Sequence, residues 1–317
     1  MIDWIERVLV VGAGTMGHSL ALVFAQAGYE VDLVDMKAEA LEKACALIRS
    51  NLETLKTTKM IPSGSVSKIL KRIHPSTSLD VGKRAHVVVE AISENVRAKK
   101  RLYHSLFALC PPTTIFASNT SYLNIFQLLK TGPLERVLIA HWYAPPHLIP
   151  LVDLVKGPKT SQETVETFMK LLYRLGKQPV LMKKFIPGYI VNRLQRAMGR
   201  EIFHLIDGGY ASPEDIDRAV KNSLGFRIPV VGVVQRYDFT GLDQALRVEV
   251  NPSIHLVSRD RLSPTLKSLV KRGCLGVKSG KGFYDYSPRT TAEVLRERDL
   301  RLIALSKFFR KRTGRAS

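Results

Sequence analysis

The sequence lacks a long apolar run. None of its apolar stretches approaches the ~20 residues that a membrane-spanning helix requires, so we expect no membrane partner. Its first residues read as a strand that leads into a glycine-rich loop, and this pattern does not match a signal peptide. We therefore predict a cytoplasmic protein.

Cysteine is scarce as well. The 317 residues contain three, Cys45, Cys110 and Cys274, which are scattered, and none forms a Cys-x-x-Cys pair. Zinc sites use closely spaced cysteine pairs and disulfide frameworks use even numbers of cysteines. We therefore expect no metal site and a reducing compartment, with the three thiols as ordinary buried or surface groups.

Acidic residues are few for the number of basic ones. There are 28 Asp and Glu against 48 Lys and Arg, which gives a formal net charge of +20. Such an excess fits a polyanionic small molecule, nucleic acid, or solubility alone. The basic residues are spread along the chain without a nucleic-acid-binding motif, so we expect a small-molecule substrate and no specific nucleic-acid partner.

What the chain does have is a glycine-rich loop between an apolar strand pattern at residues 8–11 and a helical pattern at residues 18–26. In such a loop Gly12 permits a tight turn, Gly14 leaves room for a pyrophosphate, and Gly17 lets the helix lie close to the strand. The loop predicts a dinucleotide site whose residues are Gly12, Gly14, Thr15, Met16 and Gly17.

A second strand pattern, residues 30–35, ends in an acid. Asp35 stands about 20 residues after the loop, where a carboxylate binds the ribose 2′-hydroxyl of a dinucleotide. Because that carboxylate would repel a 2′-phosphate, the pattern favours NAD over NADP, although Lys37 lies close by.

Strands and helices then alternate as far as residue 182, and this alternation predicts an α/β domain with a Rossmann-type doubly wound, mostly parallel sheet. Beyond residue 186 the strands stop and helical patterns continue, beginning with a long one at residues 189–207. We predict an NAD-binding domain over residues 1–186 and an all-α domain over residues 187–317. The apolar helices of the second domain indicate a homodimer.

Polar residues follow the predicted strands at the sheet edge where open α/β sheets bind their ligands. Ser121 comes after the strand at residues 114–118, His141 ends the next strand, and Asp153 lies within the strand that follows. Asn192 opens the second domain. Such a set supplies a base for a hydroxyl proton, a carboxylate to hold its ring, and two polar groups for a substrate oxygen.

Each of these residues also has an ordinary structural explanation. His141 could be a core histidine bonded to backbone, and Asp153 could pair with a lysine. Ser121 could cap a helix, and Asn192 could bond the first turn of its own helix. Their shared location, more than any single residue, favours a functional site.

Six blocks of the sequence, four of which contain residues described above, resemble the L-3-hydroxyacyl-CoA dehydrogenase family, and the resemblance extends over nearly the whole length. The matching blocks are Gly12-Ala-Gly-Thr-Met-Gly17, Glu90-Ala-Ile-Ser-Glu-Asn95, Ser118-Asn-Thr-Ser121, Ala140-His141, Pro187-Gly-Tyr-Ile-Val-Asn-Arg193 and Lys278-Ser-Gly-Lys-Gly-Phe-Tyr-Asp-Tyr286. The resemblance implies an N-terminal NAD domain, a helical C-terminal domain that carries the dimer interface, a cleft between them, and a role in fatty acid metabolism by β-oxidation.

The resemblance also implies roles for individual residues. His141 matches the catalytic base, and Asp153 falls where the family has the Glu that orients this histidine. Ser121 matches a hydroxyl that contacts substrate and cofactor, and Asn192 matches an amide near the substrate oxygen. Glu90 and Asn95 fall in a block near the nicotinamide, and we count them among the cofactor-binding residues.

Two departures concern the reactive centre. Asp153 is one methylene shorter than the usual Glu, and Ala144 replaces the Asn of the usual His-x-x-Asn-Pro pattern. The segment from Ala140 to Val155, with Pro145-Pro146 and Pro150, is similar to the branch that contains lambda-crystallin and L-gulonate 3-dehydrogenase, which acts on free hydroxy acids.

These observations lead to one prediction and two alternatives. We predict NAD-dependent oxidation of a 3-hydroxyacyl-CoA, such as 3-hydroxybutyryl-CoA, with His141 as general base. The first alternative is a dehydrogenase of a free hydroxy acid, similar to L-gulonate or carnitine. The second is an NAD-binding structural protein whose catalysis is impaired through Ala144.

Overall fold

The computed structural model describes residues 2–249, 251, 253, 256 and 262–312. The chain divides into two compact units. The first consists of Met1–Ile190 together with Arg296–Ser317, and the second is Val191–Leu295. Among the described residues, no helix is both long and apolar enough to cross a membrane.

The first unit is built on one eight-stranded sheet. Its strands are β1 (Arg7–Val11), β2 (Glu30–Val34), β3 (Ile73–Ser76), β4 (Val87–Glu90), β5 (Ile115–Ser118), β6 (Val137–Trp142), β7 (Leu151–Lys156) and β8 (Gln178–Met182). The spatial order is β3-β2-β1-β4-β5-β6-β7-β8, and every neighbouring pair is parallel except β6 with β7. The strand order reverses between β1 and β4, which is where doubly wound sheets bind ligands. The predicted Rossmann-type fold is confirmed.

Helices cover both faces of this sheet and form the second unit. They are α1 (Gly17–Gln26), α2 (Ala38–Thr57), α3 (Ser65–Lys71), α4 (Val96–Leu109), α5 (Ile125–Leu128), α6 (Gln162–Arg174), α7 (Val191–Asp207), α8 (Pro213–Asn222), α9 (Leu224–Val231), α10 (Gln235–Thr240), α11 (Leu242–Glu249), α12 (Pro264–Lys271) and α13 (Thr291–Arg312), with 3₁₀ turns at Leu79–Arg84, Leu134–Arg136 and Val277–Ser279. The predicted helical second domain is likewise confirmed.

Burial on both sheet faces explains why the strands are continuous apolar runs. Along β1, Val8 and Val10 contribute to one apolar cluster, and Leu9 and Val11 contribute to the other. Successive side chains of a strand point to opposite faces, so a parallel sheet with a helical layer on each side favours apolar residues at most strand positions.

The sequence patterns did not predict one of the eight strands, β3. β3 has the sequence Ile-His-Pro-Ser, and its residues pair only with β2, at the edge of the sheet. An edge strand needs few apolar side chains and tolerates proline, so it carries neither the alternation nor the apolar run that identifies a central strand.

The last helix returns to the first unit. From Arg296 onwards the chain belongs to that unit, where Ile303 is 2% exposed within its apolar core and the Lys307 ammonium donates to the carbonyl oxygen of Thr58. The compact units therefore differ from a simple division at residue 186, because α13 buries apolar surface on the first unit. The predicted NAD-binding and substrate or dimerisation roles of residues 1–186 and 187–317 stay predictions.

Candidate active site

The glycine-rich loop brings three backbone segments into close contact. A β-carbon at Gly17 would lie 1.6 Å from the carbonyl oxygen of Gly12. Gly12 itself has φ +103°, and a β-carbon there would lie 2.7 Å from the carbonyl oxygen of Ala91. Glycine is therefore required at both positions, because a side chain would separate α1 from β1 and β1 from the segment after β4.

The start of α1 is open to a ligand. A β-carbon at Gly14 would have no atom within 4 Å, both Gly14 and Thr15 are exposed, and no side chain caps the helix at Met16. The first N–H groups of a helix need acceptors, and a phosphate supplies them together with a charge that suits the helix dipole.

Asp35 lies directly after β2 and points towards the same loop. Its Oδ2 accepts a hydrogen bond from the Ala13 N–H at 2.9 Å, and its Oδ1 accepts one from the Lys37 N–H at 3.0 Å. Each carboxylate oxygen has a second lone pair, so the group retains acceptors for ribose hydroxyls. The loop, the uncapped helix and this carboxylate together fit a dinucleotide.

Glu90 has a different environment from the one expected of a cofactor ligand. It is fully buried at the end of β4. Its Oε1 accepts hydrogen bonds from the Lys99 ammonium at 2.5 Å and the Ile92 N–H at 2.9 Å, and its Oε2 accepts one from the Ser118 hydroxyl at 2.6 Å. The carboxylate thus joins β4, β5 and α4, and its predicted contact with the cofactor stays a prediction.

Asn95 and Glu94 act on the local backbone. The Asn95 side chain is the N-cap of α4, where its Oδ1 accepts from the Ala98 N–H at 2.9 Å. The Glu94 carboxylate accepts from the Thr120 hydroxyl at 2.8 and 2.9 Å and from the Ser121 N–H. Sequence reasoning missed Glu94, which positions the loop after β5, and the predicted cofactor role of Asn95 stays untested.

Ser121 and His141 meet at the carboxyl edge of the sheet. The Ser121 Oγ lies 3.1 Å from His141 Nε2, and the imidazole is 4% exposed at the end of β6. Ser121 is half-buried and does not cap a helix, because α5 begins four residues later with Asn124 as its N-cap residue. The hydroxyl is therefore available to a ligand that reaches this nitrogen.

The opposite nitrogen of His141 faces Asp153. The antiparallel register of β6 and β7 sets the two residues directly across from each other, and Asp153 is fully buried. Its Oδ2 lies 3.5 Å from His141 Nδ1, which is an ion-pair distance but too long for a hydrogen bond. The same oxygen accepts a hydrogen bond of 2.6 Å from the Tyr143 hydroxyl.

Two tyrosines that sequence reasoning missed flank the imidazole. The ring centroids of Tyr143 and Tyr189 each lie 4.7 Å from that of His141. The Tyr189 hydroxyl donates to the carbonyl oxygen of Thr120 at 2.5 Å. Burial raises the pKa of Tyr189 strongly, and the negative charges of Glu94 and Asp153 raise it further, so this phenol stays a neutral donor. The sequence does contain a signal for Tyr143. Side chains two residues apart along a strand lie on the same face, and Tyr143 stands two residues after His141, directly after β6.

The remaining predicted site residue lies in the second unit. Asn192 is the second residue of α7, half-buried, and its predicted contact with a substrate oxygen stays a prediction. Ala144, which follows Tyr143, is exposed and provides no polar group. Within the described part of the chain, no three His, Cys, Asp or Glu side chains come together in a way that could hold a metal ion.

Comparison with known proteins shows the family of the chain. The sequence model of the NAD binding domain of 3-hydroxyacyl-CoA dehydrogenase matches residues 7–185, and that of the C-terminal domain matches residues 188–286. The chain belongs to the 3-hydroxyacyl-CoA dehydrogenase family. It is therefore an NAD-dependent oxidoreductase with two domains of the family type, and NAD is its cofactor.

Its relatives include enzymes with different substrates. A probable 3-hydroxybutyryl-CoA dehydrogenase of Bacillus subtilis (strain 168) is 37% identical over 289 residues, which cover 90% of this chain and 99% of that protein. A 5-formyl-3-hydroxy-2-methylpyridine 4-carboxylate 5-dehydrogenase of Mesorhizobium japonicum is 32% identical over 97% of this chain and 99% of its own length. A crystal structure of an enzyme with this pyridine activity, described as an NAD⁺-dependent dismutase, has a TM-score of 0.86 and 30% identity and covers 98% of this chain and 100% of that one.

The glycine loop provides a matched pair of variants. Gly17→Ala forces a β-carbon into the Gly12 carbonyl and is expected to lower the free energy of unfolding by about 1–3 kcal/mol. Gly14→Ala meets no atom and should leave stability within about 0.5 kcal/mol of wild type, yet weaken NAD binding at least about tenfold. Urea denaturation and calorimetric titration with NAD measure the two effects. Wild-type NAD affinity in Gly14→Ala would show that the pyrophosphate lies elsewhere.

Proposed function

We propose that this protein oxidises the 3-hydroxyl of a 3-hydroxyacyl-CoA, such as 3-hydroxybutyryl-CoA, to the 3-keto compound. One observation carries the proposal: a buried imidazole at the edge of an NAD-binding sheet, with Nε2 beside the Ser121 hydroxyl and Nδ1 facing the Asp153 carboxylate. This arrangement supports a general base that acts on a hydroxyl group next to the nicotinamide.

The charge of Asp153 selects the useful tautomer of His141. A carboxylate 3.5 Å from Nδ1 favours the proton on that nitrogen, which leaves the lone pair of Nε2 free to accept another. In the oxidative direction the hydroxyl proton of the substrate passes to Nε2. The carboxylate then stabilises the imidazolium that forms, because the two opposite charges face each other in a buried site.

The substrate oxygen needs neighbours that hold it near Nε2. The Ser121 hydroxyl is suited to this by its distance of 3.1 Å from that nitrogen, and we assign Asn192 as a second group on the same oxygen. Glu94 supports the assignment of Ser121, since its carboxylate anchors the Ser121 backbone N–H.

NAD supplies the acceptor for the hydride that leaves the carbon bearing the hydroxyl. We assign the pyrophosphate to Gly14, Thr15 and Met16 at the start of α1, and the adenosine ribose to Asp35. We assign Glu90 and Asn95 to the nicotinamide side of the site, where the buried Glu90 carboxylate also holds the ends of β4 and β5 together.

A second candidate substrate is a free hydroxy acid. Two observations favour it: Ala144 lacks the amide expected beside the reactive centre, and a relative that matches nearly the full length is named for a pyridine carboxylate. L-Gulonate and L-carnitine represent this class. The cytoplasmic location and the place in β-oxidation stay predictions.

A substrate panel distinguishes the two candidates. The proposal predicts reduction of acetoacetyl-CoA by NADH and oxidation of 3-hydroxybutyryl-CoA by NAD⁺, with kcat/KM at least about 100-fold above L-gulonate or L-carnitine, because the CoA portion supplies remote binding energy. The measurement is the initial rate at which the absorbance of NADH changes. Efficient turnover of a free acid without turnover of either CoA ester would reject the proposal in favour of the second candidate.

The role of His141 is tested separately. His141→Ala is expected to lower kcat by about 10²–10⁴-fold on the best substrate of the panel, which is the typical contribution of a general base. Affinity for NAD, measured by calorimetry, should stay within about twofold because Asp35 and the glycine loop are untouched. His104→Ala, on an exposed face of α4, serves as the control. A fully active His141→Ala protein would remove His141 from the mechanism.

We also propose that the enzyme is a homodimer. Large apolar side chains of the second unit are strongly exposed in the single chain, among them Phe226 at 77%, Val234 at 77% and Phe239 at 74%. Apolar surface of this extent is typical of an interface that a second copy covers. Sedimentation velocity at micromolar concentration should give twice the mass of one chain, and a monomer would contradict the proposal.

A further inference from the structure

We propose that Tyr143 is a positioning residue that lowers the proton affinity of His141 by sharing the Asp153 carboxylate. The inference rests on the proposed role of His141 as general base. It concerns a residue that the sequence patterns and the family comparison leave without a role. Tyr143 acts on the imidazole through Asp153, so it needs no contact with the substrate.

The distances show which group has the stronger hold on the carboxylate. The Tyr143 hydroxyl donates to Asp153 Oδ2 at 2.6 Å, whereas His141 Nδ1 stands 3.5 Å from the same oxygen. Neither His141 Nδ1 nor Asp153 Oδ1 has a hydrogen-bond partner among the described residues. One oxygen therefore faces two donors, and the phenol is the one within hydrogen-bond distance.

The orientation of the imidazole comes from ring contacts. Tyr143 meets the His141 ring edge to face at an interplanar angle of 81°, and Tyr189 meets it at 39°. The Tyr189 hydroxyl donates its hydrogen bond to the Thr120 carbonyl oxygen. Of these two phenols, it is Tyr143 that donates to Asp153. Asp153 therefore acts on the imidazole mainly through its charge, and the two rings supply the packing that orients it.

The consequence for the imidazole is electrostatic. A phenol that donates to a carboxylate withdraws part of its negative charge, and the remaining charge stabilises an imidazolium less well. The interaction is strong here because Asp153 is fully buried and His141 is 4% exposed. Removing the hydroxyl should leave the full charge facing Nδ1 and let Oδ2 close on it.

Other titratable groups near the imidazole come from two further segments. Tyr189 lies in the segment before α7 and stays neutral, as its raised pKa implies. Glu94 binds the Ser121 backbone and lies 3.8 Å from the Lys99 ammonium, which balances its charge. The part of a Tyr143→Phe effect that passes through Asp153 is isolated by making the same substitution in an Asp153→Asn background.

The test follows the protonation of His141 directly by NMR. Proteins labelled with ¹⁵N-histidine are titrated without substrate, and the His141 ring signals are assigned from their loss in His141→Gln. Tyr143→Phe is expected to raise the His141 titration midpoint by about 0.5–1 pH unit relative to wild type. With the best substrate of the panel, the acid limb of kcat/KM should move to higher pH by the same amount, while the plateau stays within about threefold.

The same substitution made in a variant without the Asp153 charge separates this electrostatic effect from a packing defect. In Asp153→Asn the carboxylate charge is absent, so adding Tyr143→Phe should leave the midpoint within about 0.2 pH unit of the single variant. Tyr122→Phe is the matched control, since Tyr122 is 60% exposed on the loop after β5. Phe in place of Tyr keeps the ring that packs on His141.

The outcomes distinguish this inference from the proposed function. An unchanged or lowered midpoint in Tyr143→Phe, or an equal shift in the Asp153→Asn background, overturns the role of Tyr143 and leaves His141 as base untouched. A fully active His141→Ala protein rejects the base itself, whatever the NMR titration shows.

Discussion

The close approach of backbone at the reversal point of the sheet is the constraint from which the rest of the structure follows. The backbone of Gly17 packs against the Gly12 carbonyl, and the backbone of Gly12 packs against Ala91, which follows β4. These contacts hold α1 against β1 and align the carboxyl ends of the neighbouring strands. A side chain at either glycine would spread the edge at which the predicted cofactor and substrate residues lie.

Two carboxylates brace that edge, of which Glu90 is buried and Glu94 is exposed. Glu90 is fully buried and joins β4, β5 and α4 through Ile92, Ser118 and Lys99. Glu94 holds the loop that carries Ser121. A buried charge is stable only when it is hydrogen-bonded or paired, so the Glu90 network fixes the ends of β4 and β5. The Glu94 hydrogen bonds hold the loop that places Ser121 beside His141.

The proposed catalytic pair uses the single antiparallel contact of the sheet. Because β7 runs opposite to β6, Asp153 lies directly across from His141, and Tyr143 lies near enough to bind the same carboxylate. The contact between His141 Nδ1 and Asp153 Oδ2 at 3.5 Å is looser than a hydrogen-bonded His–carboxylate pair, and two aromatic rings pack against the imidazole. Different neighbours thus contact the imidazole and its carboxylate: the two rings pack on His141, and the Tyr143 hydroxyl binds Asp153.

Local patterns were sufficient to predict the glycine loop and the central strands, because each depends on residues close together in the chain. The strand pattern also predicted that Ser121, His141 and Asp153 lie at one edge of the sheet, where the structure places them in contact. It did not indicate that Glu90 is an internal brace, that Tyr143 binds Asp153, or that α13 returns to the first unit. Those features depend on register and burial between distant segments, which tertiary packing alone decides.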